Sequence, residues 1–325
     1  MADHTEKPNL PLMMRFKLFI GSFLYQLCLR SDGTINRRLL SFFDPKTPAA
    51  SAVVGDISVS SSDISVDPSR DLWFRLFFPS TAAAKLPLIV YFHGGGFSCF
   101  SADSKVCDNF CRTLAGELPA VVASVNYRLA PEHKCPSQYD DGFDAVKFIS
   151  EKGYHILPPS TDLERCFLAG DSAGGNIAHH VAVRAGRDGI KLAGVVAVQP
   201  FFGGEERTES EVRLAKAHVL TAEGADALWR GFLPAGADRN HPAARVFGGG
   251  DDELMKSVEF PRTLVVVGGL DPLQDWQRKY VKWLEKCGKQ VELIEYAHAF
   301  HSFYSFQELH DFGLLLQDVR GFIAK

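Results

Sequence analysis

Short apolar runs alternate with candidate helices along most of this chain, from residue 88 onward. Each run is about as long as a buried strand, and the segments between them are long enough for a helical crossover. This alternation is typical of a mostly parallel sheet with helices on both faces. The sequence therefore predicts an α/β fold. We expect strands at LIVYF (88–92), AVVASV (120–125), CFLAG (166–170), GVVAV (194–198), TLVVV (263–267) and VELIEY (291–296).

Composition limits the classes of partner. The 325 residues are 46% hydrophobic and 23% charged, which suffices for a large packed core. The net charge is -4, with no basic stripe or acidic tail, so the sequence does not predict nucleic-acid binding. Length alone fits one large α/β domain or two smaller ones.

The cysteines favour a reducing compartment. There are seven, an odd number, and no CxxC pair occurs. We therefore expect free thiols and a cytoplasmic protein, with the nucleus as a second possible compartment. Cys107 and Cys111 stand four residues apart and form a conceivable metal pair, but no histidine accompanies them. We predict neither a metal nor a cofactor.

An apolar segment at residues 10–30, LPLMMRFKLFIGSFLYQLCLR, allows three interpretations. Its lead-in lacks the basic character of a signal peptide, and Arg15 and Lys17 interrupt it. Its apolar stretch falls short of the roughly 20 apolar residues that a membrane-spanning helix needs. The spacing indicates a helix, which could dock on its own domain, form a lid over a pocket, or anchor the chain at an interface.

The motif with the strongest chemical content is AGDSAGGN, residues 169–176, which contains G-x-S-x-G. It follows a predicted buried strand and opens a predicted helix, the setting of a nucleophile elbow. The turn is tight enough to strain its central residue, and small neighbours make it possible. We predict that Ser172 is a nucleophile.

A serine nucleophile needs a base and an acid that orients the base. In α/β hydrolases the chain order is serine, then acid, then histidine. Asp271 directly follows the predicted strand TLVVV, so we favour it over Asp275, one helical turn later. His298 comes soon after VELIEY, so we favour it over His301, which we expect to enter the terminal helix.

Three consecutive glycines, residues 94–96, follow the strand LIVYF. Attack on a carbonyl creates an oxyanion that needs hydrogen-bond donors, and glycine leaves its backbone N–H unshielded. We expect donors at Gly95 and Gly96, together with the N–H of Ala173. A phosphate-binding loop is the alternative, but the lysine and spacing of such loops are absent here.

Five motifs in matching order resemble the hormone-sensitive-lipase-like α/β hydrolases, and most of all the plant class I carboxylesterases. The resemblance covers residues 60 to 320. It implies a Ser172–Asp271–His298 triad, an oxyanion hole at the glycines, and one domain, residues 1–325. It also implies a cap from residues 1–45 and the 203–245 insertion. The motifs are HGGGF (93–97), VNYRLAPEHKCPSQYDDG (125–142), GDSAGG (170–175), GGLDPLQD (268–275) and HAF (298–300).

The same family includes proteins that are not hydrolases. The gibberellin receptors resemble this chain but lack the triad histidine, whereas the isoflavanone dehydratases share the fold and some carry threonine at the nucleophile position. We predict a carboxylic ester hydrolase, and keep a small-molecule receptor and a lyase as alternatives. We expect a monomer or weak dimer that acts on small apolar or aromatic esters. Candidate pocket residues are Phe97, Phe100, Phe201 and Phe202.

Overall fold

The computed structural model describes residues 10–80, 85–217, 219–248 and 251–325. Nine β-strands occur in these residues: β1 (Ala52–Val54), β2 (Ile57–Asp67), β3 (Leu72–Pro79), β4 (Leu86–Phe92), β5 (Val121–Asn126), β6 (Thr161–Asp171), β7 (Gly194–Val198), β8 (Thr263–Leu270) and β9 (Val291–Phe300). The same residues form ten α-helices: α1 (Leu12–Cys28), α2 (Arg37–Phe43), α3 (Lys105–Glu117), α4 (Ser137–Ile156), α5 (Ala173–Arg187), α6 (Glu209–Arg213), α7 (Ala222–Phe232), α8 (Asp251–Ser257), α9 (Gln274–Lys286) and α10 (His310–Ala324).

The strands form one sheet in the order β1-β2-β3-β5-β4-β6-β7-β8-β9. From β5 to β9 every neighbouring pair is parallel, whereas β1, β2 and β3 pair antiparallel at one end of the sheet. The prediction of a mostly parallel α/β sheet is therefore confirmed. Each of the six predicted runs lies in one of the parallel strands, with ends that differ by a few residues.

Helices cover both faces of the sheet. On one face, α3 and α10 pack through residues such as Phe110 and Phe312. On the other face, α4, α5 and α9 pack through residues such as Ile177 and Tyr280. Because the central strands are covered on both sides, their sequences are almost continuously apolar. Burying each large apolar side chain stabilises the fold by roughly 1.5–3 kcal/mol.

The sheet brings four loops to one edge. The carboxyl ends of the parallel strands β4, β6, β8 and β9 lie at this edge. Ligands of open α/β sheets bind at this edge. The residue after each of these ends is His93, Ser172, Asp271 and His301. Residues far apart in the sequence therefore meet at this edge.

Two segments outside the sheet approach the same edge. One is α7, which lies within the 203–245 insertion. Near the other end of the chain, α2 is held by Arg37, whose guanidinium donates to Ala130 O at 2.5 Å and pairs with Glu132 at 2.6 Å. Residues 1–9 of the predicted N-terminal cap segment lie outside the described residues.

Candidate active site

Ser172 occupies the turn between β6 and α5. Its φ is +50° and its ψ is -117°, a region that costs a non-glycine residue about 1–3 kcal/mol. The flanking glycines make the turn possible: a Cβ on Gly170 would lie 2.2 Å from Gly174 O, and one on Gly174 would lie 1.8 Å from Phe92 O. The local sequence therefore dictates a tight elbow, with Ser172 at its centre.

A continuous hydrogen-bonded chain joins three side chains at this elbow. His301 Nε2 lies 3.0 Å from Ser172 Oγ, and His301 Nδ1 lies 2.9 Å from Asp271 Oδ2. All three residues are buried. The tautomer that satisfies both contacts has Nδ1–H donating to the carboxylate and Nε2 accepting from the serine hydroxyl. This is the relation of nucleophile, base and orienting acid.

The prediction of His298 as the base is wrong. We expected the last strand to end near Tyr296, which would have put His298 in the loop. Instead, β9 runs to Phe300, so His298 is an exposed residue inside the strand. His301 is the first residue after the strand, and α10 begins nine residues later, at His310. The loop therefore delivers His301 to the serine.

Asp271, rather than Asp275, contacts the histidine. Its carboxylate also accepts from Leu273 N and from Gln277 Nε2, each at 2.9 Å. These donors fix the carboxylate orientation and compensate its burial. Asp275 instead accepts from Ser210 N at 2.9 Å, and therefore ties the segment before α7 to α9.

The glycine loop after β4 lies beside the elbow. Gly95 and Gly96 have φ values of +96° and +60°, which L-residues with a side chain rarely adopt. A Cβ on Gly95 would lie 2.5 Å from Cys99 O, and one on Gly96 would lie 2.4 Å from Leu228 Cδ1. Both glycines line the same cavity as Ser172. Ala173 is the first residue of α5.

Asp171 links the elbow to the glycine loop, a contact that we did not predict from the sequence. Its Oδ1 accepts from Gly94 N at 2.9 Å and from the Tyr91 hydroxyl. Burial raises the pKa of the Asp171 carboxyl, and the hydrogen bonds from Tyr91 and Tyr304 oppose that rise. The motif gave one signal that could have pointed to it: Asp171 is the residue directly before the serine in G-x-S-x-G.

Another buried histidine, His93, lies at the start of the glycine loop. His93 Nδ1 lies 2.8 Å from Gly94 O, and the ring stacks on Tyr127 with centroids 4.3 Å apart. Burial lowers the pKa of His93 to about 4, so its imidazole is neutral at neutral pH. Its contacts stabilise the start of the glycine loop.

A cavity of about 520 Å³ opens onto the serine. Ser172, His301 and the two glycines line it. The helix α1 and residues of the 203–245 segment line it as well. The wall residues from these two segments include Leu18, Gly21, Tyr25, Val219, Leu220 and Leu228. The surface around the reacting group is therefore mostly apolar.

Two of the four predicted pocket phenylalanines belong to the core instead. Phe100 and Phe201 line the cavity. Phe97 stacks on Phe232 of α7 with ring centroids 3.6 Å apart, and Phe202 packs against Tyr280 at 4.5 Å. The prediction of Phe97 and Phe202 as pocket residues is wrong, because their rings face neighbouring helices.

The cysteines weighed as a metal pair lie inside the protein. Cys107 and Cys111 are both buried in α3, and burial raises the pKa of both thiols. A thiol must lose its proton to bind a metal, so this setting disfavours a site. Within the described ranges, no group of three histidine, cysteine or acidic side chains is arranged to hold an ion.

A family profile described as the α/β hydrolase fold matches residues 89–305, two thirds of the chain. The chain belongs to the α/β-hydrolase family. Among its relatives, gibberellin receptor GID1C of Arabidopsis thaliana is 40% identical over 96% of this chain and 92% of its own length. Probable carboxylesterase 6 of the same plant is 40% identical over 83% of this chain and 81% of its own.

Solved structures extend the likeness to prokaryotes. A hyperthermophilic esterase from the archaeon Pyrobaculum calidifontis superposes with a TM-score of 0.77 at 26% identity, over 97% of each chain. The resemblance to hormone-sensitive-lipase-like plant hydrolases, inferred from the motifs, is confirmed. This α/β hydrolase therefore has both carboxylesterases and gibberellin receptors among its relatives.

Proposed function

We propose that this α/β hydrolase is a carboxylic ester hydrolase. The observation that carries the proposal is the hydrogen-bonded chain from Ser172 Oγ through the His301 ring to Asp271, buried at the side of an apolar cavity. Simple ligand binding gives no reason to place a base on a strained serine. Acyl transfer requires that arrangement, because a neutral hydroxyl is a weak nucleophile.

The reaction follows from the positions of the protons. Ser172 Oγ attacks the ester carbonyl carbon while its proton passes to His301 Nε2. The tetrahedral intermediate collapses, the leaving alkoxide takes that proton, and the alcohol departs from the acyl-enzyme. Water then attacks the acyl carbon with His301 as base, which gives the carboxylic acid and returns the proton to Ser172. Asp271 holds the imidazole and stabilises its charged form.

Backbone N–H groups of Gly95, Gly96 and Ala173 are the proposed donors to the oxyanion. Two observations support this role: the glycines line the cavity beside Ser172, and their positive φ values turn the backbone in a way that a side chain would block. Loss of one such donor typically costs about 100- to 1000-fold in kcat.

The cavity walls indicate the substrate class. The described part of the 1–45 segment and the 203–245 segment together form the proposed cap over one catalytic domain, since both line the cavity. Apolar side chains dominate these walls, so small apolar or aromatic esters are the proposed substrates. Seven free, buried cysteines suit a reducing compartment, and we place the protein in the cytoplasm.

The receptor relatives support a second candidate. At 40% identity to gibberellin receptor GID1C, the cavity could hold a small ligand without turnover. The same triad could also assist an elimination, because it moves protons in either reaction. A receptor would release no product, and an elimination would release its products without consuming water, whereas ester hydrolysis consumes one water per ester.

The discriminating experiment measures p-nitrophenol release from p-nitrophenyl butyrate, beside the Ser172→Ala variant. We expect many turnovers per chain with the wild type and none above background with the variant. Release that stops at or below one equivalent per chain would support the receptor, and equal rates for the two chains would exclude Ser172 from the chemistry.

The cavity wall gives a prediction about acyl length. Gly21 in α1 lines the cavity, and a Cβ there would meet no atom within 4 Å. Gly21→Leu should therefore fill space without a clash, and raise KM for p-nitrophenyl octanoate about tenfold or more while KM for the acetate stays within about twofold. Steady-state kinetics against acyl length measure this.

Gly313→Leu is the matched control for that prediction. Gly313 lies exposed in α10, away from the cavity lining, and a Cβ there also meets nothing within 4 Å. Both changes replace a helical glycine and should favour the helix slightly. If Gly21→Leu and Gly313→Leu give the same acyl-length profile, α1 is not part of the binding surface.

A further inference from the structure

The helix α1 has a second apolar face that the proposed function does not use. Its inner face carries Met14 and Leu18, both buried, and lines the cavity. Its outer face carries six large apolar residues that are 37–69% exposed. They are Met13, Phe16, Phe19, Ile20, Phe23 and Leu27.

The outer residues form one continuous stripe. Their spacing of three, four and seven residues places them on one side of a helix, within about a third of its circumference. The rings of Phe19 and Phe23 stack with centroids 6.4 Å apart, so the apolar surface continues from one helical turn to the next. Contiguous exposed apolar surface of this kind marks an interaction site, whereas scattered single residues do not.

Charge indicates what covers the stripe. The sequence of α1 contains Arg15 and Lys17 and no acidic residue. Lys17 pairs with Glu308 at 2.9 Å, and Arg15 is exposed. Residues 10–43 contain five basic residues and one acidic residue, although the whole chain has a net charge of -4. Two of the five basic residues, Lys17 and Arg37, pair with Glu308 and Glu132 from outside the segment, which leaves three basic residues against one acidic residue.

We propose that the outer face of α1 binds an anionic lipid surface, with the helix parallel to the plane of the membrane. Phenylalanine side chains enter the boundary between headgroups and acyl chains, and the basic residues face the anionic headgroups. None of the described helices is long and apolar enough to cross a bilayer, so the contact is peripheral. A second copy of the chain is a poorer occupant, because a symmetric pairing would set the same basic segments against each other.

The lipid contact and the cavity occupy opposite faces of one helix. Membrane binding therefore places the cavity wall next to a source of apolar esters. This inference does not depend on the chemistry at Ser172, since lipid binding is measured without any substrate.

The test uses flotation of the full chain with two kinds of vesicle, phosphatidylcholine alone and phosphatidylcholine with phosphatidylserine. We expect binding to the anionic vesicles that weakens as salt is added, and little binding to the neutral ones. The double variant Phe19→Glu/Phe23→Glu should reduce anionic binding at least about tenfold. Its hydrolysis of p-nitrophenyl acetate should stay within about twofold, because neither side chain lines the cavity.

The matched control is Val53→Glu/Tyr154→Glu, which adds the same charge at two apolar residues that are 71% and 77% exposed elsewhere. It should bind anionic vesicles nearly as well as the wild type. Three results would overturn the proposal: no binding of the wild type to anionic vesicles, equal loss in both double variants, or a dimer in sedimentation that only the Phe19/Phe23 variant dissociates. The first result is obtained with the wild-type chain alone, so it can refute the proposal even if a variant misfolds.

A separate observation concerns Gln199, the residue after β7. It is buried and has a φ of +45°, and its N–H donates to Val266 O at 2.8 Å. Its side-chain Nε2 donates to Phe300 O at 3.2 Å, and its Oε1 accepts from Ser302 N at 2.9 Å. One amide group therefore holds both backbone neighbours of His301.

The same strand end also holds the nucleophile. Val198 O, one residue before Gln199, accepts from Ser172 N at 2.9 Å. Gly268 leaves room for the Gln199 amide, since a Cβ there would lie 2.4 Å from Nε2. The end of β7 thus connects the loop of the serine to the loop of the histidine.

We infer that Gln199 is a positioning residue that sets the distance between His301 and Ser172. The inference rests on the proposed function. Gln199→Met preserves much of the volume but removes both side-chain hydrogen bonds, and a histidine displaced by a fraction of an ångström loses overlap with the serine. We expect kcat to fall about ten- to a hundredfold with KM changed less than about threefold.

Gln138→Met is the matched control, because Gln138 is equally buried in α4 and its Nε2 donates to His133 O at 2.6 Å, outside the active site. Fluorophosphonate labelling of Ser172 should slow in parallel with kcat only in Gln199→Met. If both variants keep the wild-type kcat while His301→Ala is inactive, the positioning role is wrong and the proposed function stands. If His301→Ala remains active, the proposed function itself fails.

Discussion

His301→Ala should lower kcat/KM for p-nitrophenyl butyrate by at least about 1000-fold, whereas His298→Ala should remain within about threefold of the wild type. Of these two histidines, His301 is the one that contacts both Ser172 Oγ and the Asp271 carboxylate. Removing it leaves the serine with no proton acceptor. His298 is an exposed strand residue, where a change to alanine usually alters stability by less than about 0.5 kcal/mol.

The two histidine variants control for each other, because they lie three residues apart at the same end of β9. Circular dichroism and thermal unfolding should show that both remain folded. Loss of activity in His298→Ala, with activity kept in His301→Ala, would contradict the geometry of this site.

Asp271→Asn is the second large effect. The carboxylate accepts from His301 Nδ1 at 2.9 Å and so selects the tautomer whose Nε2 is free to accept the serine proton. An asparagine amide can donate to Nδ1 and thereby favour the wrong tautomer. The same aspartate-to-asparagine change in a serine protease triad lowers kcat about 10⁴-fold, and we expect a loss of that size here. Steady-state kinetics at neutral pH measure the loss.

Asp275→Asn is the control for the acid. Its carboxylate contacts Ser210 N and Arg278, so the substitution should leave kcat within about tenfold and act mainly through the fit of the neighbouring segment. A larger loss in Asp275→Asn than in Asp271→Asn would show that the wrong acid has been assigned.

The central sheet was predictable because its strands are buried on both faces. Such strands must be almost wholly apolar, and that property is visible in the sequence. The strand β2 was missed for the opposite reason. It runs from Ile57 to Asp67 and is only partly buried, so its sequence lacks a continuous apolar run. It is a strand because it pairs with β3 over most of its length, a constraint that the local sequence does not contain.

The candidate active site was predictable where its residues directly follow a strand end. Ser172 and Asp271 satisfy that condition, and both lie where the sequence indicated. The end of β9 was not visible, because the strand continues past Tyr296 through AHAF, with a register shift that pairs Leu270 with Phe300. This tertiary pairing carries His298 into the strand and moves the loop to His301.

Contacts between segments that are distant in the sequence could not be predicted, for a related reason. Gln199, Gln277 and Asp171 each reach a partner through the packing of neighbouring strands or helices, and no short motif marks the first two. Likewise, Phe97 and Phe202 look the same as Phe100 and Phe201 in the sequence. Which ring faces the cavity depends on where α7 and α9 pack.

The central claim, that Ser172 is the nucleophile of a hydrolytic triad, is tested most directly by inactivation with a fluorophosphonate. The reagent phosphonylates an activated serine, and peptide mass spectrometry locates the adduct. We expect ester hydrolysis to fall in proportion to the adduct, with one adduct per chain at Ser172 and none in Ser172→Ala or, at the same dose, in His301→Ala. Full ester hydrolysis by a chain fully labelled at Ser172, or inactivation with the adduct on another residue, would contradict it.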